Sequence, residues 1–255
     1  MIAYDRLLST DNPKAAKAAD FGWINGIHYM APASLSGFNL CARATPQCEA
    51  LCLGWQAGQA SMVADPNDMN AVRLSRIAKA RAYMTDRANY MGMLCRSIAR
   101  LERQGERLGL RVCVRLNGST DIPFERVSLN YNGRFHTNIM SAFPGVQFTD
   151  YTKRWERFER PVPPNYHLTF SRADGNSERA LMLLDRGINV AVVSRRHNPK
   201  QGRYLEQWCG YAAVNGDEHD LRHLDPQGVV VALSPKGPAA KRMARADMTG
   251  EGFIL

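Results

Sequence analysis

The sequence lacks several features that would assign it to a class at once. It has no run of roughly 18 or more apolar residues, so we predict no membrane span. Residues 1–17 lack a basic segment followed by an apolar core, which argues against a signal peptide and predicts a cytoplasmic protein. Neither G-x-G-x-x-G nor G-x-S-x-G occurs, and no Walker-type glycine pattern surrounds Lys236. Nucleoside triphosphate binding is therefore not supported.

The composition is that of a globular protein with a basic surplus. Apolar residues make up 45% of the 255 residues and charged residues 22%, and no long polar linker divides the chain. We therefore predict a single domain over residues 1–255. Lys and Arg total 33 against 24 Asp and Glu, a net charge of +9. This surplus favours a polyanionic partner such as DNA, although a basic solvated surface is the plainer alternative.

Two basic stretches also carry aromatic residues. They are YTKRWERFER at 151–160 and SRRHNPKQGRY at 194–204. Aromatic rings can stack on bases while neighbouring arginines meet phosphates. We predict that Arg154, Trp155 and Arg196 contact DNA.

The middle of the chain has the pattern of amphipathic helices. Residues 67–107 are rich in helix formers, with apolar residues three and four positions apart. Either Thr85 or Asp86 could cap a second helix, and Gly109 would end it. Another helix should begin after Asn176, which is a favourable capping residue.

Short β-branched segments that open into polar loops follow, alternating with helical segments. This alternation predicts parallel β–α–β units and an α/β fold. We expect a TIM-barrel-like domain, closed or equally well partial and irregular, with an N-terminal cysteine-containing loop and helical segment. The five clear strand segments are 110–121, 145–153, 165–175, 188–196 and 228–237.

Three of the six cysteines lie in one loop. Cys41, Cys48 and Cys52 are spaced C-x6-C-x3-C, and thiols of a chain without a secretion signal stay reduced. Three thiolates can hold zinc with a fourth ligand, or a [4Fe–4S] cluster with one iron left open. The x6 gap is long for either site, and free cysteine is also a common buried residue.

Carboxylates and other polar residues follow the predicted strands. Asp121 ends VRLNGSTD and Asp150 ends VQFTD, and acids at the strand ends of a barrel converge on one mouth. There one carboxylate can act as nucleophile or base and the other can bind substrate, although Asp also caps turns. The polar residues that we predict to bind substrate at the same mouth are Asn117, Ser119, Ser171 and Lys236.

Three segments together resemble the bacteriophage gene product 88 family: APASLSGFNLCARATPQCEALCLG, VRLNGSTDI and GDEHDLRHLDPQGVVVALSPKG. We associate that family with phage 7-deazaguanine DNA transglycosylases, which are similar to tRNA-guanine transglycosylases, barrel enzymes with two aspartates and a structural zinc. The resemblance implies exchange of guanine in DNA for a preQ0-type base in the infected host cell. Asp121 and Asp150 would be the carboxylate pair. In the tRNA enzymes the zinc cysteines lie late in the chain, whereas Cys41, Cys48 and Cys52 lie early, so those ligand roles cannot be transferred.

Two other functions remain open from the sequence. An iron–sulfur enzyme of the radical S-adenosylmethionine type shares a partial barrel with cysteines in an early loop, although its usual C-x3-C-x2-C spacing is absent. A zinc-stabilised DNA-binding protein without catalysis would show salt-sensitive affinity and leave every base unchanged. The oligomeric state is not predicted.

Overall fold

The computed structural model describes residues 6–11, 16–65, 67–246 and 252–255. The segment 1–17, from which we predicted that no signal peptide is present, lies partly outside these residues. The strands are β1 Leu8–Ser9, β2 Trp23–His28, β3 Arg111–Arg115, β4 Leu129–Tyr131, β5 Arg134–His136, β6 Gln147–Thr152, β7 Tyr166–Ser171, β8 Val190–Val193, β9 Gln207–Trp208, β10 Tyr211–Asn215 and β11 Val230–Leu233. The helices are α1 Pro46–Ala50, α2 Leu53–Gln56, α3 Ala71–Thr85, α4 Arg87–Leu108, α5 Ile139–Ala142, α6 Ser177–Asp185 and α7 Gly237–Ala246.

Nine strands form one large, mostly parallel sheet. Its order is β1-β2-β3-β6-β7-β8-β11-β10-β9, and β4 and β5 form a separate hairpin. All neighbours from β2 to β10 are parallel, whereas the edge strands β1 and β9 are antiparallel to theirs. In the described part of the chain β1 and β9 do not pair with each other. The α/β prediction is confirmed, but the sheet that the described residues form is open and shows no closed barrel.

One face of the sheet carries the main hydrophobic core. Ile24 of β2, Val112 and Val114 of β3, and Phe148 of β6 belong to the same buried cluster as the inner face of α4. That helix contributes Tyr90, Met91, Leu94, Ile98 and Leu101. Helices on a parallel sheet bury its apolar side chains in this way, which fixes α4 firmly on the first three strands.

The other face of the first strands is covered by the connection between β10 and β11. In this connection, residues 216–229, Leu221 is fully buried in a cluster with Trp23 and Cys113. The rings of Trp23 and His223 lie 4.5 Å apart in an edge-to-face contact. The return from β10 to β11 therefore runs across a sheet face and not around it.

The helix boundaries follow local capping chemistry. Asp86 separates α3 from α4, and its side chain accepts a hydrogen bond from the backbone N–H of Asn89. Gly109 ends α4 with φ of 66°, a left-handed conformation that glycine adopts without strain. Both predicted boundaries are confirmed. No helix in the described ranges is long and apolar enough to cross a membrane.

Candidate functional site at the carboxyl edge of the sheet

The loops that follow the parallel strands emerge at one edge of the sheet. Ligands of open α/β sheets bind outside the carboxyl ends of the strands, so this edge is where a site is expected. The cysteine loop follows β2, the segment with Asn117 and Asp121 follows β3, and Lys236 follows β11. The structure thus brings the predicted cysteine and carboxylate segments to the same edge.

The cysteine loop contains two short helices. The Thr45 hydroxyl caps α1 by accepting a hydrogen bond from the N–H of Cys48, at 3.2 Å. Cys52 stands at the start of α2. The thiols of Cys41, Cys48 and Cys52 are all free and half-buried. Burial raises the pKa of Cys41 to about 12 and that of Cys52 to about 11, with neighbouring thiols adding to both shifts.

Contacts to three other segments hold this loop in place. The Cys41 sulfur accepts a hydrogen bond from the N–H of Ala33 and lies 3.8 Å from the carbonyl oxygen of Ser119. Thr45 and Asp174 join the loop to the end of β7 through a hydrogen bond between their side chains. The N–H of Phe253, in the C-terminal segment, donates to the Gln47 side chain at 2.7 Å. The thiols are therefore carried on a well-supported loop.

The predicted metal groups make different demands on their ligands. A single zinc ion needs ligands that converge on one point at about 2.0–2.3 Å. Across the described residues, no group of three His, Cys, Asp or Glu side chains is arranged to hold one metal ion. The predicted zinc site thus stays a prediction without a fourth ligand. Thiolates of an iron–sulfur cluster bind different irons, and the predicted cluster site likewise stays a prediction.

Asp121 is engaged by groups at the end of β6. Its carboxylate accepts hydrogen bonds from the Thr152 hydroxyl at 2.7 Å and from the N–H of Lys153 at 2.9 Å. The guanidinium of Arg157 adds an ion pair at 3.2 Å. These bonds tie the loop after β3 to the loop after β6.

Asp150 is 1% exposed, and its carboxylate holds the loop after β3 in place through hydrogen bonds. Its carboxylate accepts bonds from the Asn117 N–H at 2.6 Å, from the Asn117 amide at 3.0 Å and from the Tyr166 hydroxyl at 2.6 Å. Burial raises the pKa of Asp150 to about 6, even though these hydrogen bonds favour the carboxylate. Asn117 in turn accepts the N–H of Ile122 at 2.8 Å.

Two residues that the sequence did not mark connect the carboxylates. The guanidinium of Arg157 bonds to Asp121 at 3.2 Å and to the Tyr166 hydroxyl at 2.7 Å, and Tyr166 reaches Asp150. Arg157 also pairs with Glu125 at 2.7 Å. Arg157 lies within the basic stretch that we assigned to DNA, and no local pattern marks Tyr166. The two aspartates are thus linked through partners and do not face each other across an open mouth.

The predicted substrate-binding residues also have partners within the chain. The Ser119 hydroxyl donates to the carbonyl of Met30 at 2.6 Å. The Ser171 hydroxyl accepts a bond from the Lys153 ammonium at 3.1 Å. Lys236 forms an ion pair with Asp217 at 3.0 Å, which neutralises its charge at the edge.

The predicted DNA contacts differ in their exposure. Arg196 is exposed and Arg154 is half-buried. Trp155 is half-buried against a separate hydrophobic cluster that contains Phe170 and Val190. The guanidinium of Arg179 lies 4.1 Å from the centre of the Trp155 ring. This cation–π contact covers one face of the indole, so Trp155 serves local packing in this conformation.

Together these features define an α/β protein whose open, mostly parallel sheet carries a three-cysteine loop at its carboxyl edge. The chain belongs to the gene product 88 family, whose family model matches residues 6–249. This confirms the membership predicted from the three sequence segments. Neither a curated protein nor a solved structure matches the chain.

Proposed function

We propose that this protein is an iron–sulfur enzyme of the radical S-adenosylmethionine type. Cys41, Cys48 and Cys52 would hold a [4Fe–4S] cluster, and the sheet would act as a partial barrel. The observation that carries the proposal is the strand order. The six parallel strands β2, β3, β6, β7, β8 and β11 are neighbours in the order of the chain, and the cysteine loop follows the first of them.

The open edge of the sheet supports a partial barrel in preference to a closed one. Consecutive parallel strands bring all their carboxyl ends to one side, where the loops can surround a bound group. The cysteine loop packs there against the loops after β3 and β7. A guanine transglycosylase built on a closed barrel would need pairing of the first and last strands, which the described residues do not form.

Binding of a cluster requires the thiols to lose their protons. Buried thiols with raised pKa values stay protonated unless a nearby positive charge favours the thiolate. Lys153 and Arg76 both act on Cys52 in that direction, although burial outweighs them. The iron of a cluster would supply the remaining positive charge and, when bound, one-electron chemistry. The chain's own contribution is the fixed position of the three sulfurs.

Metal analysis of protein purified without oxygen tests this proposal. We expect about four irons and matching sulfide per chain, with broad absorbance near 400 nm. Each of the changes Cys41→Ser, Cys48→Ser and Cys52→Ser should reduce iron at least tenfold. Cys209→Ser, at an exposed cysteine outside the loop, is the matched control and should leave iron unchanged. Colourless protein with about one zinc per chain would overturn the proposal.

A second candidate is the exchange of guanine in DNA for a 7-deazaguanine base. It is favoured by the network that contains both Asp121 and Asp150 at the carboxyl edge. The pKa of Asp150, about 6, is near that of an effective general acid or base. In this reading Cys41, Cys48 and Cys52 bind zinc, and the +9 net charge attracts DNA.

Incubation of the zinc-loaded protein with DNA and preQ0, followed by nucleoside analysis, tests this second candidate. Incorporated 7-deazaguanine that disappears in Asp121→Ala would support it. Wild-type exchange by Asp121→Ala would remove this aspartate from the mechanism. Salt-sensitive DNA binding with one zinc and no altered base would instead support a non-catalytic DNA-binding protein.

A further inference from the structure

The longest helix, α4, presents a row of four arginines to solvent. Arg96, Arg100, Arg103 and Arg107 are all exposed and follow one another at intervals of four, three and four residues. Because each residue turns the helix by about 100°, the four side chains start within an arc of about 60°. The row is about 16 Å long, since each residue adds about 1.5 Å of rise.

The orientation of this arginine row is fixed by the core. The opposite side of α4 buries Leu94, Ile98 and Leu101 in the main hydrophobic cluster. Rotation of the helix to hide the arginines would expose these apolar side chains to water, which is unfavourable. The row therefore faces outward as a permanent part of the surface.

The positive charge of the row is not neutralised by ion pairs. Within the described ranges none of its four guanidinium groups forms an ion pair with a carboxylate. The nearest acids on the helix are Glu102, which is half-buried, and Glu106, which is exposed. Around the helix axis, Glu106 lies about 60–120° and Glu102 about 100–160° from the four arginines. Burial raises the pKa of Glu102, and the charge of Arg103 acts against that rise. Arg157, in contrast, is buried and forms ion pairs with Glu125 and Asp121.

We propose that the arginine row is a docking surface for the phosphate backbone of double-stranded DNA. Guanidinium groups bind phosphate oxygens in a bidentate manner. Duplex DNA carries a negative charge about every 1.7 Å of its axis when both strands are counted, so a 16 Å length of duplex holds on the order of ten phosphates, of which those on one side can meet the row. Gly92 and Ala99 lie beside the row and have no side chain long enough to hold a duplex away. The contact reads charge and not base sequence.

The row is separate from the candidate site. It begins at the middle of α4 and runs toward Gly109, which a single residue separates from β3. It therefore runs away from the carboxyl edge, where β3 ends. DNA held there would tether the protein while the edge remains accessible. The inference does not depend on the cluster or on base exchange, and each can fail without the other.

Fluorescence anisotropy with the full chain and a labelled duplex of about 25 base pairs, over a range of salt, tests the inference. One variant replaces all four row arginines with Gln. The matched control replaces four exposed cations elsewhere, Arg186, Lys200, Arg203 and Lys241, and has the same net charge. Loss of four phosphate contacts should lower the slope of log K against log salt by about 3–4, and the control by less than about 1.

The possible outcomes distinguish DNA binding through the arginine row from binding through the net positive charge of the protein. A fall in affinity of about 100-fold or more at 50 mM salt for the row variant alone would support the surface. Equal losses in both variants, or no DNA binding by the wild type, would overturn it. Binding of wild type to phosphatidylserine vesicles but not to duplex would likewise overturn it. Single changes such as Arg100→Gln, each expected to lower the slope by about 1, serve if the fourfold variant does not fold.

Discussion

The cysteine loop and the carboxylate network, both at the carboxyl edge of the sheet, differ in how many partners their side chains have within the chain. In the cysteine loop, the Cys41 sulfur receives one backbone hydrogen bond, and all three thiols are free and half-buried. A few residues away, Asp121 and Asp150 each accept three hydrogen bonds or ion pairs from within the chain. A carboxylate satisfied in this way builds the loop. The thiols receive fewer such bonds, and they are the groups that we propose to bind a ligand.

The largest effect on stability should come from the carboxylate region. Asp150→Ala would leave the Tyr166 hydroxyl and both donors of Asn117 buried without an acceptor, which costs about 3 kcal/mol in total. Urea unfolding of purified protein measures this change. Asp20→Ala, at an exposed position, is the control and should stay within about 0.5 kcal/mol of wild type. An equally small effect at Asp150 would show that its bonds do not support the fold.

A smaller effect should come from the contact between the two regions. A Cβ atom on Gly54, in α2, would lie 2.3 Å from the Cβ of Ser119. Gly54→Ala should therefore push the cysteine loop from the loop after β3, cost about 1–3 kcal/mol and weaken iron retention.

Gly92→Ala, in α4, is the matched control for this change. The added Cβ would meet only the end of the Arg96 side chain, at 3.5 Å. It should stabilise the helix by up to about 1 kcal/mol. Equal melting temperatures for the two variants would contradict the tight approach at Gly54.

The smallest effect concerns the pH dependence of stability, for which two buried groups have opposite signs. Burial lowers the pKa of His28 to about 4, so between pH 6.5 and 4 the unfolded chain binds the proton and the folded chain does not. This group loses stability as the pH falls. Burial raises the pKa of Asp150 to about 6, so the folded chain binds its proton first, and this group loses stability as the pH rises from about 4 to 6.

Urea unfolding at pH 4.5, 5.5 and 7 of two variants measures these contributions. His28→Gln should make the loss of stability on acidification shallower than in wild type. Asp150→Asn should make it steeper, because the opposing contribution is removed. If both variants follow the wild-type profile, neither group titrates as its burial implies.

Local patterns in the sequence predicted the elements well. All five strand segments contain the expected strands, and the break between the long helices lies at Asp86. Short-range chemistry governs these features, so a single sequence reveals them. Asn176 shows the limit of prediction from local patterns. It stands before α6 as predicted, but its side chain accepts the N–H of Ala173 at 2.7 Å and does not cap the helix.

The arrangement of the candidate site could be predicted only in part. That the cysteines and the strand-end acids share one edge follows from parallel strands. That Asp150 is enclosed could not be seen, because its partners Asn117 and Tyr166 are 33 and 16 residues away in the chain. Whether the sheet closes into a barrel could not be predicted for a similar reason, since pairing of edge strands depends on curvature and not on any local pattern.

The path of residues 216–229 across the first strands also determines when the molecule can be completed. Leu221 packs on Trp23, which precedes it by almost 200 residues. The face of the sheet that carries Trp23 therefore stays exposed to solvent until most of the chain has been synthesised. Contacts between such distant residues form slowly, because a long loop must close first. Residues 216–229 therefore cover a surface of the first strands late in synthesis. A nascent chain that stops before residue 216 leaves this apolar surface exposed to chaperones and proteases.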